Sequence, residues 1–592
     1  IFFRGFDVDH GTDFAIYVDG MPVNMTSHAH GQGYADLHFL IPETVQELEV
    51  NKGPYNARYG DLATSGSGEF KTLNYLEKNV VKAEYGAFNT QRALMMVDLL
   101  GHKHVFSKNK ENLFIAAEYR YTDSYFLSKQ HFQRLNFFGK YNGILSNGSQ
   151  LTVNASTFHS NWDASGQIPD RKVNDGTISR YGSIDDTEGG ATSRTNFSVV
   201  HVQPFKNGEM KNQVYYNRYD FNLYSNFTFF LNDSVNGDQI QQGDHRNIIG
   251  FTNTLKFNGK LGNKKLATTV GTGARYDNSA INLSHTKKRE FLNDIVKGKL
   301  NQLNAWSYLN EDIYLTENLK LNGGARIDVY NFDFNNYTYD TASGNVTKAL
   351  VSPKLNLIYT MYPRVELYVK SGFGFHSNDA RAVVVGSLQN TLARAFGYEG
   401  GSTFKPFKKL LVNVAVWSLA LESELIYVGD EGIVEASGRT QRYGVDFGLR
   451  YQLGTYLFLD GDINLNRGKL VDEPADANRI PLAPTFTSIG GISWKKPTGL
   501  NGSLRYRYMG DRAAIEDNSI IAKGYFLVDV VLNYTQKKYQ VGVAVENLVN
   551  STWNEAQFAT ESRLQYEPSS VTEIHYTPGT PFFVKGSLSI FF

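Results

Sequence analysis

Hydrophobic and polar residues alternate in short segments along most of the chain from about residue 80 onward. In Leu113–Tyr121, Tyr119 and Tyr121 fall on one side of an extended chain. Glu118 and Arg120 fall on the other side, because successive side chains of a strand point in opposite directions. The pattern predicts many strands, each with one apolar face and one polar face.

Two kinds of connection separate these segments. Short ones carry turn residues, including an Asn-Gly pair that supplies the positive φ of a tight hairpin; they are Ser146–Ser149, Gly262–Lys265 and Thr316–Asn318. Long polar ones are Trp162–Thr195, Asp233–Arg246, Ser377–Ser402, Gly429–Arg442 and Val549–Thr580. Alternation of short turns with long loops is typical of outer-membrane barrels, whose loops are long on the external side.

Composition supports a membrane barrel over a helical membrane protein. Mean hydropathy is −0.36, and no uncharged apolar run approaches the roughly 20 residues that a membrane helix needs. A barrel strand shows an apolar residue to lipid only at every second position, so low hydropathy is expected. Aromatic residues, which form the interfacial girdles of such barrels, make up 14% of the chain.

The length of 592 residues suits one very large closed sheet. With about 510 residues for the barrel, twenty-two strands leave roughly 23 residues for each strand and its connection, against about 9–11 for the span. Phe582–Phe592 is expected to be the closing strand. An array of soluble β-sandwiches or a propeller is the alternative, but no repeat with a period near 40 to 50 residues is visible.

Charge and cysteine content narrow the function classes. The formal net charge is +0, which gives no support to nucleic-acid binding. The chain has no cysteine, so thiolate metal sites and disulfides are excluded. Motifs of serine hydrolases, zinc proteases and phosphate-binding loops are also missing from the sequence, so we do not expect an enzyme.

Several sequence blocks match a known family. Three blocks lie near the start: Phe3–Phe6, Val18–Val23 and Lys52–Gly60. Further blocks follow in the strand-rich region: Ser352–Leu357, Gly372–His376, Gly444–Gly448 and Val545–Asn550. Through these blocks the chain resembles the TonB-dependent receptors over essentially its whole length.

The resemblance implies an all-β transmembrane barrel of about 22 antiparallel strands with a small α+β plug domain inside the lumen. Residues 1–76 would be the C-terminal part of the plug, and residues 77–592 the barrel. No signal peptide is visible and the sequence begins within a motif, so we expect a processed or truncated form. The TonB box and the first plug strands are expected to be missing from it.

Three plug cations, Arg4, Lys52 and Arg58, are candidates for anchoring the plug. A plug inside a polar lumen can be held by charge pairs with carboxylates of the barrel wall. Plain surface charge is the alternative reading of the same residues.

A second cluster contains Met21, Met25, His28, His30 and His38. Imidazole and thioether groups suit Cu or Zn, and in an extended segment His28 and His30 would point the same way. A metal site at His28 and His30 is therefore one hypothesis. A polar plug loop that packs against the wall or faces the incoming substrate is the other.

Arg171, Arg180 and Trp553 lie in long polar loops and are candidate substrate contacts. The alternative is a packed cap of loops with no ligand contact.

The function that the resemblance implies is TonB-dependent active uptake of a scarce nutrient across the outer membrane of a Gram-negative bacterium. An iron chelate, siderophore or other metal complex is the first expectation for the substrate, because such cargo is the most frequent in the family. Oligosaccharides and peptides are the alternative substrates. The implied partners are the inner-membrane TonB–ExbB–ExbD complex, the substrate and outer-membrane lipid, with a surface lipoprotein left open. No resident cofactor is expected, although a metal or metal chelate could be bound as substrate. A passive or ligand-gated porin is the competing function.

Overall fold

The computed structural model describes residues 2–7, 11–101, 105, 107, 110–386, 390–427, 434–436 and 438–592. In chain order its strands are β1 (Phe2–Phe3), β2 (Phe6–Asp7), β3 (Phe14–Val18), β4 (Met21–Pro22), β5 (Val45–Lys52), β6 (Gly66–Thr72), β7 (Val80–Gly86), β8 (Thr90–Asp98), β9 (Glu111–Thr122), β10 (Phe132–Ile144), β11 (Gln150–Ala164), β12 (Ile168–Pro169), β13 (Glu188–Phe205), β14 (Gly208–Ser225), β15 (Ile240–Leu261), β16 (Lys264–Lys287), β17 (Glu290–Tyr314), β18 (Leu319–Asn336), β19 (Gly344–Tyr362), β20 (Val365–Ser377), β21 (Leu392–Phe404), β22 (Leu410–Leu421), β23 (Leu425–Tyr427), β24 (Val434–Ala436), β25 (Thr440–Gln452), β26 (Leu457–Leu470), β27 (Phe486–Trp494), β28 (Gly499–Met509), β29 (Arg512–Ala513), β30 (Ile521–Ala522), β31 (Tyr525–Thr535), β32 (Tyr539–Glu546), β33 (Asn554–Ser562), β34 (Val571–Pro578) and β35 (Phe583–Phe591). The helices are α1 (Asp170–Asn174) and α2 (Ala380–Val384), with 3₁₀ turns at Pro42–Thr44 and Asp340–Ala342.

Twenty-two of these strands close into one antiparallel barrel, as the alternating pattern and the resemblance predict. They are β7 to β11, β13 to β22, β25 to β28, β31, β32 and β35. The last strand, β35, pairs with β32 on one side and with the first barrel strand, β7, on the other. This pairing leaves no open edge where a strand would expose unpaired backbone groups to lipid.

Side chains alternate across the wall as a membrane barrel requires. Outward positions carry exposed apolar groups such as Val214 and Ile249, whereas inward positions carry buried polar groups such as Asn217 and Asp328. In β9, Tyr119 is exposed while its neighbour Glu118 is only 1% exposed. The polar residues that lower the mean hydropathy therefore line the lumen.

The connections follow the predicted asymmetry, but barrel strands reach into the expected loops: β13 begins at Glu188 inside Trp162–Thr195, and β21 begins at Leu392 inside Ser377–Ser402. Strand β15 begins at Ile240, inside the loop expected at Asp233–Arg246, because Ile240 pairs with Ser225. Strands β16 and β17, of 24 and 25 residues, form a hairpin that rises above neighbouring β18. Its turn is only two residues long, so no loop signal marked it. Part of the loop expected at Gly429–Arg442 lies outside the described residues.

The plug lies inside the barrel and is built around a four-stranded sheet in the order β4-β3-β6-β5. Strands β3 and β6 run parallel, and the other two pairings are antiparallel. Its core combines plug residues such as Phe14 and Ile16 with the wall residues Trp417 and Leu419. Within residues 2–7 and 11–76 the plug holds strands and one 3₁₀ turn but no α-helix, whereas an α+β plug was expected.

Over the described part of the chain, no helix is both long enough and apolar enough to cross a membrane.

Candidate functional site

Arg4 joins the start of the plug to the barrel wall. It sits in the turn between β1 and β2 with a φ of 48° and is 5% exposed. Its Nε and Nη2 atoms donate to Asp446 Oδ2 at 3.0 and 2.9 Å, and Nη2 also donates to Glu399. The guanidinium lies 5.0 Å from the ring centre of Trp417, whose Nε1 donates to Asp446 Oδ1 at 3.3 Å. Arg4 is thus bound on several sides by groups of the wall.

Lys52 reaches the same wall carboxylate, since its Nζ lies 2.8 Å from Asp446 Oδ2. Arg58 does something different from the expected wall contact. Its Nη1 and Nη2 atoms pair with Glu69 of the plug at 2.9 and 3.0 Å. The carbonyl of Arg58 meets the barrel, where it accepts from Arg326 Nη1 at 2.8 Å. Two of the three predicted cations therefore touch the wall through their side chains.

A second set of contacts runs from wall cations to plug carbonyls, and the sequence analysis missed it. Arg275 donates to Asn24 O at 2.8 Å, and Arg381 donates to His28 O at 2.9 Å. The remaining pairs in this set are Arg194 with Val23 O, Arg246 with Ser27 O, Arg326 with Arg58 O, and Arg442 with Gly5 O. Six arginines of the barrel therefore hold the plug backbone, five of them on wall strands and Arg381 on helix α2 between β20 and β21.

A sequence signal for three of these arginines exists in hindsight. Asp244 and Arg246, Arg275 and Asp277, and Arg326 and Asp328 are each two residues apart on one strand. Residues i and i+2 of a strand share a face, so each pair forms an ion pair within the lumen, at 2.6 to 2.8 Å. The guanidinium then has donors left over for the plug.

Pro54 of the plug fits a notch in the wall that is made of glycines. A Cβ atom on Gly372 would lie 2.6 Å from Pro54 O, and one on Gly374 would lie 2.7 Å from Pro54 Cβ. On Gly397 it would lie 3.0 Å from Pro54 Cδ. Lys354 Nζ donates to Pro54 O at 2.8 Å. Pro54 can approach the wall this closely because these glycines have no side chain.

The predicted Met and His cluster forms the apex of the plug, but its side chains do not converge. Met21 and Met25 are 5% and 0% exposed and pack in an apolar cluster with Tyr215 and Tyr219. His28 is fully buried and stacks on Tyr34 with ring centres 4.4 Å apart. The apex is therefore packed against the wall through aromatic rings and thioethers.

His28, His30 and His38 each have a different environment. His28 Nδ1 accepts from the backbone N–H of His30 at 3.1 Å, and its Nε2 has no hydrogen-bond partner and lies 3.9 Å from Asp244 Oδ2. His30 Nδ1 lies 2.7 Å from Gln242 Oε1. The His38 side chain is 53% exposed and lies 3.0 Å from Asp36 Oδ1. Among the residues described, no group of three or more His, Cys, Asp or Glu side chains suits a metal ion.

Burial lowers the pKa of His28 to about 3, from an ordinary value of 6.5. Asp244 opposes this shift, whereas Arg246, His30 and Arg381 add to it. His28 is therefore a neutral ring held in a closed aromatic site. Its unpartnered Nε2 is a cost to the folded plug of about 1–3 kcal/mol, as for any buried polar atom without a partner.

The candidate loop residues bind other loops. Arg171 pairs with Glu567 at 2.7 Å and also with Glu573. Arg180 donates to Trp553 O at 2.6 Å, and the Trp553 ring donates from Nε1 to Thr580 O at 2.9 Å. Strands β12, β34 and β33 form one small sheet that joins these two loops. The loops thus form a cap on one side of the barrel mouth.

Cavities lie between plug and wall, and two of them border candidate residues. The larger, of about 1290 Å³, borders Arg4, Lys52 and Trp553. The smaller, of about 330 Å³, borders the plug on its β14 to β18 side.

Comparison with known proteins assigns both parts of the chain. The model described as TonB-dependent Receptor Plug Domain matches residues 1–67. The model described as TonB dependent receptor-like, beta-barrel matches residues 124–548.

Curated relatives and solved structures agree with these matches. The metal-pseudopaline receptor CntO of Pseudomonas aeruginosa strain UCBPP-PA14 is 22% identical over 270 residues, 42% of this chain and 37% of that receptor. The match thus spans less than two fifths of the relative's length. Unliganded ferric citrate transporter FecA superposes with a TM-score of 0.83 at 15% identity, over 100% of this chain and 90% of that one. Pyoverdine receptor FpvA of P. aeruginosa PAO1, bound to pyoverdine, gives 0.79 at 15% identity, over 100% and 88%. At these identities the structures show the fold alone.

Replacement of Arg4 is expected to loosen the plug. Arg4→Ala leaves Asp446 and Glu399 buried with fewer partners, a loss of about 3–5 kcal/mol for a buried pair. The measurement is the urea concentration at which trypsin cleaves the plug of the detergent-purified protein. Lys71→Ala is the control, because Lys71 and Glu49 are each 41% exposed and such pairs contribute about 0–1 kcal/mol. Equal cleavage midpoints for the two variants would contradict the anchoring role.

His28 is expected to make the plug apex sensitive to acid. The folded apex keeps His28 neutral, whereas in an opened apex His28 takes up a proton below about pH 6.5. The stability that neutral His28 gives to the closed apex is therefore complete above that pH and is lost as the pH falls toward 3. Opening should become easier by about 2 kcal/mol between pH 7 and pH 5. Hydrogen exchange of residues 25–34 measures this, after correction for intrinsic rates. His28→Phe should remove the dependence and His38→Phe should keep it; an unchanged dependence in His28→Phe would refute the assignment.

Proposed function

The chain belongs to the TonB-dependent receptors, and from this we propose that it imports a metal chelate across the outer membrane by active transport. The observation that supports this most strongly is the plug itself, which fills the lumen of a barrel large enough to conduct solutes. An open diffusion pore does not require a plug domain that is held in its lumen by buried charges of both plug and wall.

The way in which the plug is held suits a gate. Charge pairs and hydrogen bonds to backbone carbonyls connect plug and wall at Arg4, Lys52, Arg275 and Arg381. When such groups separate in a lumen that admits water, water replaces their partners. A plug bound in this way can seal the pore at rest and can still be displaced by a pulling force.

We propose a metal chelate as cargo because the matched relative is named a metal-pseudopaline receptor, and the superposed structures are named for ferric citrate and pyoverdine. The metal enters as substrate, with no resident cofactor and no reaction catalysed. His28 and His30 are not assigned to a resident metal, since no group of three or more suitable ligands converges on them among the described residues. An oligosaccharide or peptide is the alternative cargo, and a ligand-gated porin is the alternative mechanism.

The partners proposed are TonB with ExbB and ExbD, which supply the force, and the lipid around the outward apolar face. The surface proposed for a surface lipoprotein is the capped side of the mouth, where Arg171 and Arg180 join the two loops.

Deletion of the gene is expected to slow growth at limiting metal, and deletion of TonB should have the same effect.

Metal analysis and native mass spectrometry of protein from iron-poor and iron-replete cells should find a co-purified chelate in the former. In planar bilayers the full chain should show no steady conductance. A steady conductance together with growth that does not depend on TonB would favour the porin, whereas an organic ligand would keep the transporter and change its cargo.

A further inference from the structure

The smaller cavity lies between the plug and wall strands β14 to β18. Its volume is about 330 Å³, the size of a pocket for a small molecule. Wall residues Thr269 and Asp277 of strand β16 both border it, so it extends along roughly eight residues of strand, or about 26 Å at 3.3 Å per residue. It therefore runs along much of the height of the wall.

The plug apex forms the upper end of this cavity. Asn24 and Thr26 border it, and Arg275 holds Asn24 O at 2.8 Å. Ser27 donates to Gln302 Oε1 of the wall at 3.0 Å. The compartment is thus closed above by the same segment that carries His28.

Amide and aromatic groups supply much of the lining. Asn24, Asn56, Gln213, Asn253, Gln302, Asn304 and Asn310 contribute amides, and Tyr17, Tyr59, Tyr215, Trp306, Tyr308 and Tyr330 contribute rings. The Tyr215 hydroxyl has no hydrogen-bond partner although the residue is 3% exposed. Such a surface can bind a polar solute and is unsuited to an apolar one.

Most cations on the lining already have an acidic partner. Arg58 pairs with Glu69, and Arg275 pairs with Asp277 at 2.6 Å. Arg326 pairs with Asp328 at 2.7 Å, and Lys256 pairs with Glu209 at 3.2 Å. These pairs contribute little net charge to the cavity. Asp61 also borders it, but there it accepts hydrogen bonds from Tyr330 of β18 and Ser377 of β20, on the side away from Lys211 of β14.

Lys211 differs from the four paired cations on the lining. It is partly buried on β14 and makes no ion pair or hydrogen bond with any described residue. The neighbouring acids are occupied, because Glu69 is bound by Arg58 and Asp19 accepts from Lys140 Nζ at 3.4 Å. An uncompensated ammonium in a partly enclosed space attracts an anion more strongly than one in water.

We propose that this compartment is a second solute site, beneath the plug apex, for small anionic solutes such as carboxylates, with Lys211 as the group that attracts them. The site rests on the proposed transport function, in which a solute that has passed the apex would next meet this compartment. At the β14 side of the compartment, Lys211 favours anions over cations of the same size.

The test uses a single cysteine, which is possible because the native chain has none. Thr254 faces Lys211 directly across the β14–β15 pair, and both border the cavity. In Thr254→Cys, the thiolate attacks a methanethiosulfonate reagent, forms a mixed disulfide and releases methanesulfinate. The rates are compared for an anionic sulfonatoethyl reagent and a cationic trimethylammonioethyl reagent, by intact mass spectrometry of the detergent-purified full chain.

The ratio of anionic to cationic rates at position 254 is expected to be about tenfold above the ratio at Asn263→Cys in an exposed turn. Adding Lys211→Met, or Lys211→Gln should the first fail to fold, is expected to remove most of this excess. Lys256→Met is the matched control and should change the ratio less than twofold, because Lys256 is already paired.

A ratio at 254 equal to that at 263, a ratio insensitive to Lys211, or no labelling at 254 would each overturn the proposal. The measurement uses neither substrate nor TonB, so its failure is distinct from failure of the proposed transport function.

Discussion

The contact of a charged plug with a charged lumen is the constraint on which the rest of the structure depends. A barrel of twenty-two strands cannot fill its own interior with wall side chains, and its inward positions must be polar because the outward ones face lipid. A plug that is inserted there meets carboxylates and guanidinium groups instead of an apolar surface. The fold meets this condition by pairing Arg4 with Asp446 and Glu399, and by aiming wall arginines at plug carbonyls such as Asn24 O.

This mode of attachment links packing to function. Shape fixes the position of the plug at a few points, of which Pro54 in its glycine notch is the clearest. Charges and hydrogen bonds supply the remaining contacts, and these are the contacts that water can replace when plug and wall separate. The apex adds a closed aromatic site around His28, so that the part of the plug nearest the mouth is also packed against the wall.

Sequence periodicity was enough to predict the strands of a barrel wall, because a strand in a membrane wall has few ways to place its side chains. The assignment of Tyr119 outward and Glu118 inward follows from the period of two alone. The candidate site was harder to predict from the sequence, since it depends on contacts between residues hundreds of positions apart, such as Arg4 with Asp446. Local composition could nominate Arg58 as an anchor, but it could not show that Glu69 of the plug lies closer than any wall acid. The Arg-x-Asp pairs on β16 and β18 were visible in the sequence and could be interpreted only once those strands were known to face a plug.

Displacement of the plug from the wall during uptake is the central claim, and a reversible cross-link tests it most directly. Ser27 Oγ accepts from the backbone N–H of Ala380 at 2.9 Å, so the two residues are in contact. Formation of a disulfide between cysteines at these positions is verified by intact mass spectrometry before uptake is measured. Metal accumulation is measured in metal-starved cells that carry Ser27→Cys with Ala380→Cys, before and after reduction. The account predicts that uptake stops while the disulfide is intact and returns on reduction. Full uptake with the disulfide intact would show that the apex does not need to leave the wall, and would contradict the account.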